Sequence, residues 1–351
     1  MMGRMRTSPL NPLHERLGAR MAQADGWSMP HTFSSMIEEH LAARSACAVF
    51  DVSHLSKFRL RGNGSQAWLE AVLSGKVSEC CDGEGMRTLL TDDDGRIIDR
   101  MMLLRASAGN FLLIGHAGME ETDAARLEAR KPHAALELSD ETDAWCAMVL
   151  MGPQCEQVLA RVLRGVELPV MGRFTRFFYQ NHELMLGRLG LEEEVEQERA
   201  YEFFCPAVSG ISWFESFISA GAQPCGSATR ESLRLERGCV AVGSEIVPHR
   251  STPGQVNLEH LCHPSKLSAA DKMPRERVAR LRCAEGGRAM PEPGSSVRDT
   301  AGNTIGHITG AAFSPAMGSV VAMALLSSPL AQAGMHLVIM VQGREVPAEV
   351  V

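Results

Sequence analysis

The 351-residue chain predicts an α+β fold of antiparallel sheets and helices that ends in a small β barrel, and three observations carry that reading. Between Met86 and Ile114, the strand-like runs Thr88-Leu89-Leu90, Arg96 to Leu104 and Asn110 to Ile114 alternate with turn signals. The sharpest turn is Asp92-Asp93-Asp94-Gly95, and the whole stretch reads as an antiparallel meander. Helical patterns are interspersed with further strand runs, for which a mixed α+β class is the natural reading. Beyond a stretch rich in Pro, Ser, Lys and Arg from His263 to Arg282, short β-type runs at 304–309, 319–325 and 336–341 are separated by Gly and Pro. They suggest a barrel or sandwich of about 70 residues.

Taken in order, Leu13, Leu17 and Met21 recur at four-residue spacing and predict a helical entry, broken by the turn-forming Gly26-Trp27-Ser28-Met29-Pro30. A second helix is expected from about Ser35 to Arg44. Lys57-Phe58-Arg59-Leu60-Arg61 alternates charged and apolar residues, predicting a strand with one wet and one buried face that ends at Gly62-Asn63-Gly64. A helix from about Gln66 to Leu73 precedes the meander. Downstream, the patterns predict a helix from Gln154 to Leu163, strands around 172–189 and 201–205, and helices from Ile211 to Ala220 and Ser227 to Leu235. The expected organisation is a region spanning 1–262, a linker at 263–282 and a barrel domain at 283–351.

Apolar residues make up 45% of the chain and charged residues 22%, the balance of a globular protein and not of a disordered one. The net charge of −7 leaves no basic surplus to neutralise phosphates, so nucleic acid is not an expected partner. No apolar run approaches the roughly 18–20 residues that span a bilayer, so no membrane association is expected. The start, Met1-Met2-Gly3-Arg4-Met5-Arg6, leads into Thr7-Ser8-Pro9 and not into an apolar signal core, which points to the cytoplasm. The ten cysteines form no C-x-x-C pair and read as reduced, mostly buried thiols. His260-Leu261-Cys262-His263 gathers metal-ligand types, but no second cluster completes a four-ligand set, and no metal is expected.

Several stretches, in order, resemble the glycine-cleavage T-protein (aminomethyltransferase) family: Ala24-Asp25-Gly26-Trp27-Ser28-Met29-Pro30, Glu38-Glu39-His40-Leu41 and Phe50-Asp51-Val52-Ser53-His54-Leu55. The correspondence continues through Leu89-Leu90-Thr91 to Ile98-Asp99, Gly152-Pro153, Arg230-Glu231-Ser232-Leu233-Arg234-Leu235-Glu236, Ser251-Thr252-Pro253 and Gly306-His307-Ile308-Thr309-Gly310 with Ser314-Pro315. Each match alone is weak, whereas collinear matching over nearly the whole chain is specific. The resemblance implies a three-lobed cloverleaf, with 1–262 as two interleaved α+β lobes, the second at about 53–140. It also implies a central opening that holds tetrahydrofolate. Such proteins take an aminomethyl group from the lipoyl arm of the H protein, release ammonia and pass the one-carbon unit to folate. Positioning two reactants and supporting charge near the folate nitrogens is the task set for the protein.

Carried over residue by residue, the resemblance makes Glu198 in Gln197-Glu198-Arg199-Ala200-Tyr201-Glu202 the carboxylate that accepts the pterin's paired N–H donors. A competing reading is that Glu192, Glu193, Glu194, Glu196 and Glu198 form a solvated acidic face. Arg230 matches an arginine suited to folate's carboxylate-bearing portion, against the alternative of a helix-surface ion pair. At Ile97-Ile98-Asp99-Arg100 the family has two adjacent aspartates, the second facing the folate nitrogens; here that place is Arg100, a permanent cation without acid–base use. Asp99 is the remaining candidate for catalysis, although alternation along a strand turns it away from the pocket. His116 replaces a pocket asparagine and Leu55 a pocket methionine. A folate-binding paralogue without transferase activity, regulatory or serving iron–sulfur enzymes, is the alternative function, and a scaffold with a vestigial pocket is a third. Arg237-Gly238-Cys239 resembles the opening of the iron–sulfur branch's motif, but the continuation lacks its tyrosine.

Overall fold

The computed structural model describes residues 5–132, 135–190, 199–284 and 290–351. The chain divides into two compact units, one of residues up to Leu90 with Arg100–Arg230 and one of Thr91–Asp99 with Glu231–Val351. The first unit opens with β1 (Arg6–Thr7), α1 (Asn11–Arg16), β2 (Arg20–Ala24) and β3 (Trp27–Thr32), whose strands form a sheet in the order β1-β3-β2. The helix expected to run on through Met21 stops at Arg16. Gly18 adopts φ 73°, a left-handed conformation that a residue without Cβ takes freely, and Met21 instead joins the β2–β3 ladder opposite Pro30.

Next come α2 (Met36–Ser45), β4 (Ala48–Asp51), β5 (Ser56–Arg61), α3 (Ser65–Val72), β6 (Glu84–Thr91), β7 (Ile97–Ser107) and β8 (Asn110–Gly115). Ser35 starts α2 with a capping box, its hydroxyl taking the Glu38 N–H while the Glu38 side chain returns to the Ser35 N–H. The unit continues through α4 (Glu120–Ala129), β9 (Glu137–Asp140), β10 (Trp145–Met151), α5 (Cys155–Val162), β11 (Arg173–Tyr179), β12 (His182–Arg188), β13 (Ala200–Pro206), α6 (Gly210–Ser219) and β14 (Gln223–Cys225). The helix α7 (Ser227–Arg237) follows. Eleven of the described strands make one sheet, in the order β14-β4-β10-β13-β12-β11-β6-β7-β8-β5-β9.

All seven residues of β10 are buried, as befits an apolar strand flanked by β4 and β13. Helix α5 turns Cys155, Val158 and Leu159, spaced three and four apart, into the same core as Phe214 and Phe217 of α6 and Phe203 of β13. The wet face expected for β5 is not there. Pairing with β8 on one edge and β9 on the other leaves Lys57 fully buried and Arg59 5% exposed, and only Arg61 at the strand's end reaches water.

In the second unit, after α8 (Ala269–Lys272), the strands β15 (Glu276–Cys283), β16 (Ser296–Arg298), β17 (Thr304–Ser314), β18 (Ser319–Ser327), β19 (His336–Val341) and β20 (Arg344–Val350) form a closed antiparallel barrel, β15-β18-β17-β16-β19-β20. Its core includes Leu281, Val297, Ile308, Ala322, Ile339 and Val350. The segment 263–282, expected as a linker, is structured over much of its length. Ala279, Leu281 and Cys283, two residues apart, point into the barrel core, so the first barrel strand begins at Glu276 and pairs with both β18 and β20. No helix among the described residues is long and apolar enough to cross a membrane.

Candidate active site

The turn that follows β4 concentrates charge without water. Asp51 ends the strand with its side chain fully buried, and it is held there by three contacts. Ser8 donates its hydroxyl to Oδ2, His14 Nε2 lies 2.8 Å from the same oxygen, and the Ser53 N–H donates to Oδ1 at 2.9 Å. Burial alone would raise the carboxyl's pKa, but the bond and charge of His14 and the bonds from Ser53 and Ser8 outweigh it and bring Asp51 down to about 2. Six residues on, the Lys57 ammonium donates to the carbonyls of Ser53 (3.0 Å) and Leu55 (2.8 Å), closing the turn from beneath. Burial pushes it down to about 8 against the pull of nearby acidic groups.

His54 sits between these two charges. The residue is half-buried, yet its Nδ1 is sealed from solvent and has no hydrogen-bond partner among the described residues. Burial, then the Arg230 guanidinium, then His116 and Lys57 lower its pKa, with only Asp51 opposing, to about 3. The ring is therefore neutral near pH 7, and both Arg230 and His116 are close enough to act on it.

Strand register relates the sequence-derived candidates to one another. Ser56 pairs with Gly115 across β5–β8, and Met102 pairs with Ile114 across β7–β8. Continued by one and two residues, these ladders bring Leu55, His116 and Arg100 into one row across three adjacent strands, and residues opposite each other in antiparallel strands share a face. Asp99 belongs to the next row. It is wholly buried and, by strand alternation, turned to the face opposite Arg100. His116 is half-buried, with Nδ1 2.8 Å from the carbonyl of Ala117.

Arg230 reaches this neighbourhood because the start of α7 is fixed from two sides. A Cβ on Gly226 would lie 2.2 Å from the His31 carbonyl oxygen, so only glycine permits that approach to β3. Glu39, fully buried in α2, accepts from Phe33 N (2.6 Å), Ser34 N (3.0 Å), Gly226 N (2.8 Å) and Thr229 Oγ1 (3.0 Å). Arg234, one turn beyond Arg230, has a different task. It bonds Glu231 and Glu245, whose carboxylates raise its pKa above the usual arginine range despite burial. Glu245 also takes the Thr309 hydroxyl at 2.7 Å, and Glu236 bonds Ser314. The Arg234–Glu236 and Gly306–Ser314 motifs thus hold the second unit together.

Glu198 lies outside the described residues. Glu202 of the same motif is fully buried in β13, and its Oε2 accepts the Leu189 N–H at 2.9 Å. A cavity of about 430 Å³ opens beside Ser53, with Arg6, Trp27, Thr142 and Asp143 in its wall. Arg6 lies 4.1 Å over the Trp27 ring and pairs with Glu120 and Asp143. Among the described residues, no three His, Cys, Asp or Glu side chains converge as metal ligands.

Sequence reading quoted Asp51 to Leu55 as a motif but assigned a role only to Leu55, missing Asp51, His54 and Lys57. One signal was legible. Asp-Val-Ser is the pattern of a carboxylate capping the N–H two residues on. Nothing local announces His14 or Ser8, which arrive from a different element.

Comparison with known protein families settles the kinship. Residues 10–266 match the GCVT N-terminal domain and residues 277–351 the glycine cleavage T-protein C-terminal barrel domain. The chain belongs to the glycine cleavage T-protein family. Curated relatives include the aminomethyltransferase of Rubrobacter xylanophilus, 28% identical over 99% of this chain and 94% of its own length, and that of Halothermothrix orenii, 28% identical over 99% of both. Among solved structures, the glycine cleavage system aminomethyltransferase T from Bartonella henselae aligns with a TM-score of 0.89 at 25% identity, covering 99% of this chain and 96% of that one. The α+β fold with its closed C-terminal barrel is that of the T-proteins.

Proposed function

We propose that this T-protein family member is a tetrahydrofolate-dependent aminomethyltransferase that takes a one-carbon unit from an aminomethyl-lipoyl carrier and releases ammonia. The observation that carries the reading is the full-length match to aminomethyltransferases through both family domains. Tetrahydrofolate, when bound, supplies the nitrogen that accepts the one-carbon unit. The residues fit it in two respects: Leu55 offers an apolar neighbour for a flat ring, and Arg230 beside His54 and His116 offers a cationic corner for a carboxylate. Glu198 is assigned to the pterin edge on its sequence motif. The carrier is an H protein, and the setting is cytoplasmic.

Acid–base chemistry is where the fit weakens. Asp99 faces away and Arg100 cannot take a proton, so the chain retains positioning groups and lacks the family's proton acceptor in that row. This specific feature favours, as a second reading, a folate-binding relative without transferase activity. A role in iron–sulfur enzyme maintenance draws nothing from Cys239, which is 6% exposed in the second unit.

Calorimetric titration of tetrahydrofolate, followed by an ammonia-release assay with aminomethyl-lipoyl H protein, tests both. Binding with turnover is expected, and Glu198→Ala and Arg230→Gln each weaken binding by about tenfold or more, the loss of a charge-assisted hydrogen bond. Binding without turnover selects the second reading, and no binding overturns both.

A further inference from the structure

The hairpin of β11 and β12 outruns the strands on either side of it. Among the described residues, β11 pairs with β6 at Arg173 and Glu84 alone, and the Phe174 N–H reaches the Gly83 carbonyl at 3.0 Å before the two part. Strand β12 meets β13 only from Met185 to Gly187. From Thr175 on, the hairpin is a two-stranded ribbon, closed by a two-residue turn in which Gln180 and Asn181 take φ 49° and 65°. Such a turn makes Tyr179 and His182 a hydrogen-bonded pair, so Tyr179, Phe177 and Thr175 direct their main-chain groups to β12. Those of Arg176 and Phe178 point the other way, as Phe174 does, and meet no main-chain partner among the described residues.

The side chains along this open edge are apolar and in water. Phe178 is 71% exposed and Tyr179 53%, the Tyr179 ring braced edge-on by Trp213 of α6 at 5.3 Å between centroids. Sheets guard open edges with charge, proline or closure. The two ends of this sheet comply, since β9 exposes Glu137 and Asp140 and β14 carries Pro224, and the barrel of the second unit closes on itself. Thr175-Arg176-Phe177-Phe178-Tyr179 has no proline, and its one charge is already neutralised by Glu183 of β12.

We propose that this edge pairs antiparallel with the same edge of a second copy of the chain, about a two-fold axis through Phe177. In that register Arg176 faces the partner's Phe178 and Phe178 faces the partner's Arg176, so the outward main-chain groups of both residues bond in both directions. Each guanidinium then lies against an exposed aromatic ring, a cation–π contact, and the two Phe177 rings stand opposite each other at the axis. No charge directly faces a like charge. An unrelated strand would match one of these positions by chance, whereas the same sequence run antiparallel matches both. A five-residue overlap is at the small end of protein interfaces, so the dimer is weak, with a dissociation constant on the order of micromolar. None of this depends on folate or on the reaction.

Sedimentation equilibrium of the full chain, from about 1 to about 300 µM so as to bracket such an affinity, tests the proposal. Wild type is expected to shift from monomer toward dimer across that range. Phe178→Lys, which sets a lysine against the partner's Arg176, and Phe178→Pro, which removes an outward N–H that β12 does not use, each weaken association about tenfold or more. Combining Arg176→Glu with Phe178→Lys brings opposite charges together at both facing positions and restores it. Val170→Lys removes a side chain that is 64% exposed but lies outside the ribbon, and leaves association at the wild-type level. Should Phe178→Pro fail to fold, as its thermal melt would show, the lysine variants still decide. Wild type that stays monomeric throughout, association left intact by Phe178→Lys, a double variant no better than Phe178→Lys, or equal weakening by Val170→Lys overturns the inference.

Discussion

Asp51 keeps its charge in a place no water reaches because the protein supplies, from Ser8, His14 and Ser53, the hydrogen bonds that water would have made. Its carboxyl drops from 3.8 to about 2, so the folded state binds its proton more weakly than the unfolded chain does. The stability this contributes is about 2 kcal/mol, fully present above roughly pH 4 and lost as pH falls toward 2. Asp51→Asn should therefore unfold at lower denaturant at pH 7, by at least that amount. The gap from wild type should shrink between pH 4 and pH 2, which paired urea melts across that range would read. A gap independent of pH would mean that shape, not charge, is what Asp51 provides. Lys57 shows the opposite sign. Its amine falls from 10.5 to about 8 through burial, so the unfolded chain holds a proton the folded one sheds, and stability rises with pH between about 8 and 10.5. A lysine accepted on such terms is there for its two carbonyl contacts, which shape the turn that carries His54.

At the scale of elements, α7 is where the site depends on a distant anchor. Glu39 ties the chain before α2 to the first turn of α7 with four hydrogen bonds, and Arg230 is carried on that turn. Glu39→Ala strands three backbone N–H groups, each costing about 1–3 kcal/mol when buried and unpaired. The variant should lose about 3 kcal/mol or more in denaturant unfolding and, before that, tetrahydrofolate affinity, as Arg230 loses its mooring. Stability lost with affinity intact at low temperature would show that α7 is held by its packing instead. The same helix shows what was legible in the chain and what was not. Its existence and span follow from periodicity, as do α2, α5 and α6, and the collinear motifs contain Glu39, Arg230 and Arg234, of which Arg230 alone carries an expected site role. Their division of labour did not follow, because it depends on which partners arrive from other elements. The failures have the same origin. Leu13, Leu17 and Met21 keep helical spacing, but Gly18 breaks the run and β3 offers Met21 a ladder. Charged and apolar residues are interleaved both in Lys57–Arg61 and in Arg277–Arg282; one strand is covered on both edges of a large sheet and the other closes a barrel, and the interleaving alone does not tell these outcomes apart.

For the molecule as a whole, the T-protein backbone persists at 25% sequence identity, so a single changed residue can be judged against an otherwise familiar frame. Leu55, His116 and Arg100 share a row by register, and the resemblance places an aspartate where Arg100 now stands. The row itself was foreseeable from the motif alignment, whereas His54, which the row does not contain, emerged only from burial and charge. Arg100→Asp restores a carboxylate to the same strand position with the backbone ladder unchanged. Because a positioned proton acceptor is worth about 10²–10⁴ in rate, ammonia release from aminomethyl-lipoyl H protein should rise by at least tenfold in this variant, with tetrahydrofolate affinity changed far less. The comparison of single-turnover rates decides what the arginine means. A large gain identifies Arg100 as the element that slows an otherwise complete transferase. If the rate is unchanged while folate still binds, the missing function lies beyond this row, in the carrier surface or in the one-carbon donor, and the cation at position 100 reflects a donor that itself bears negative charge.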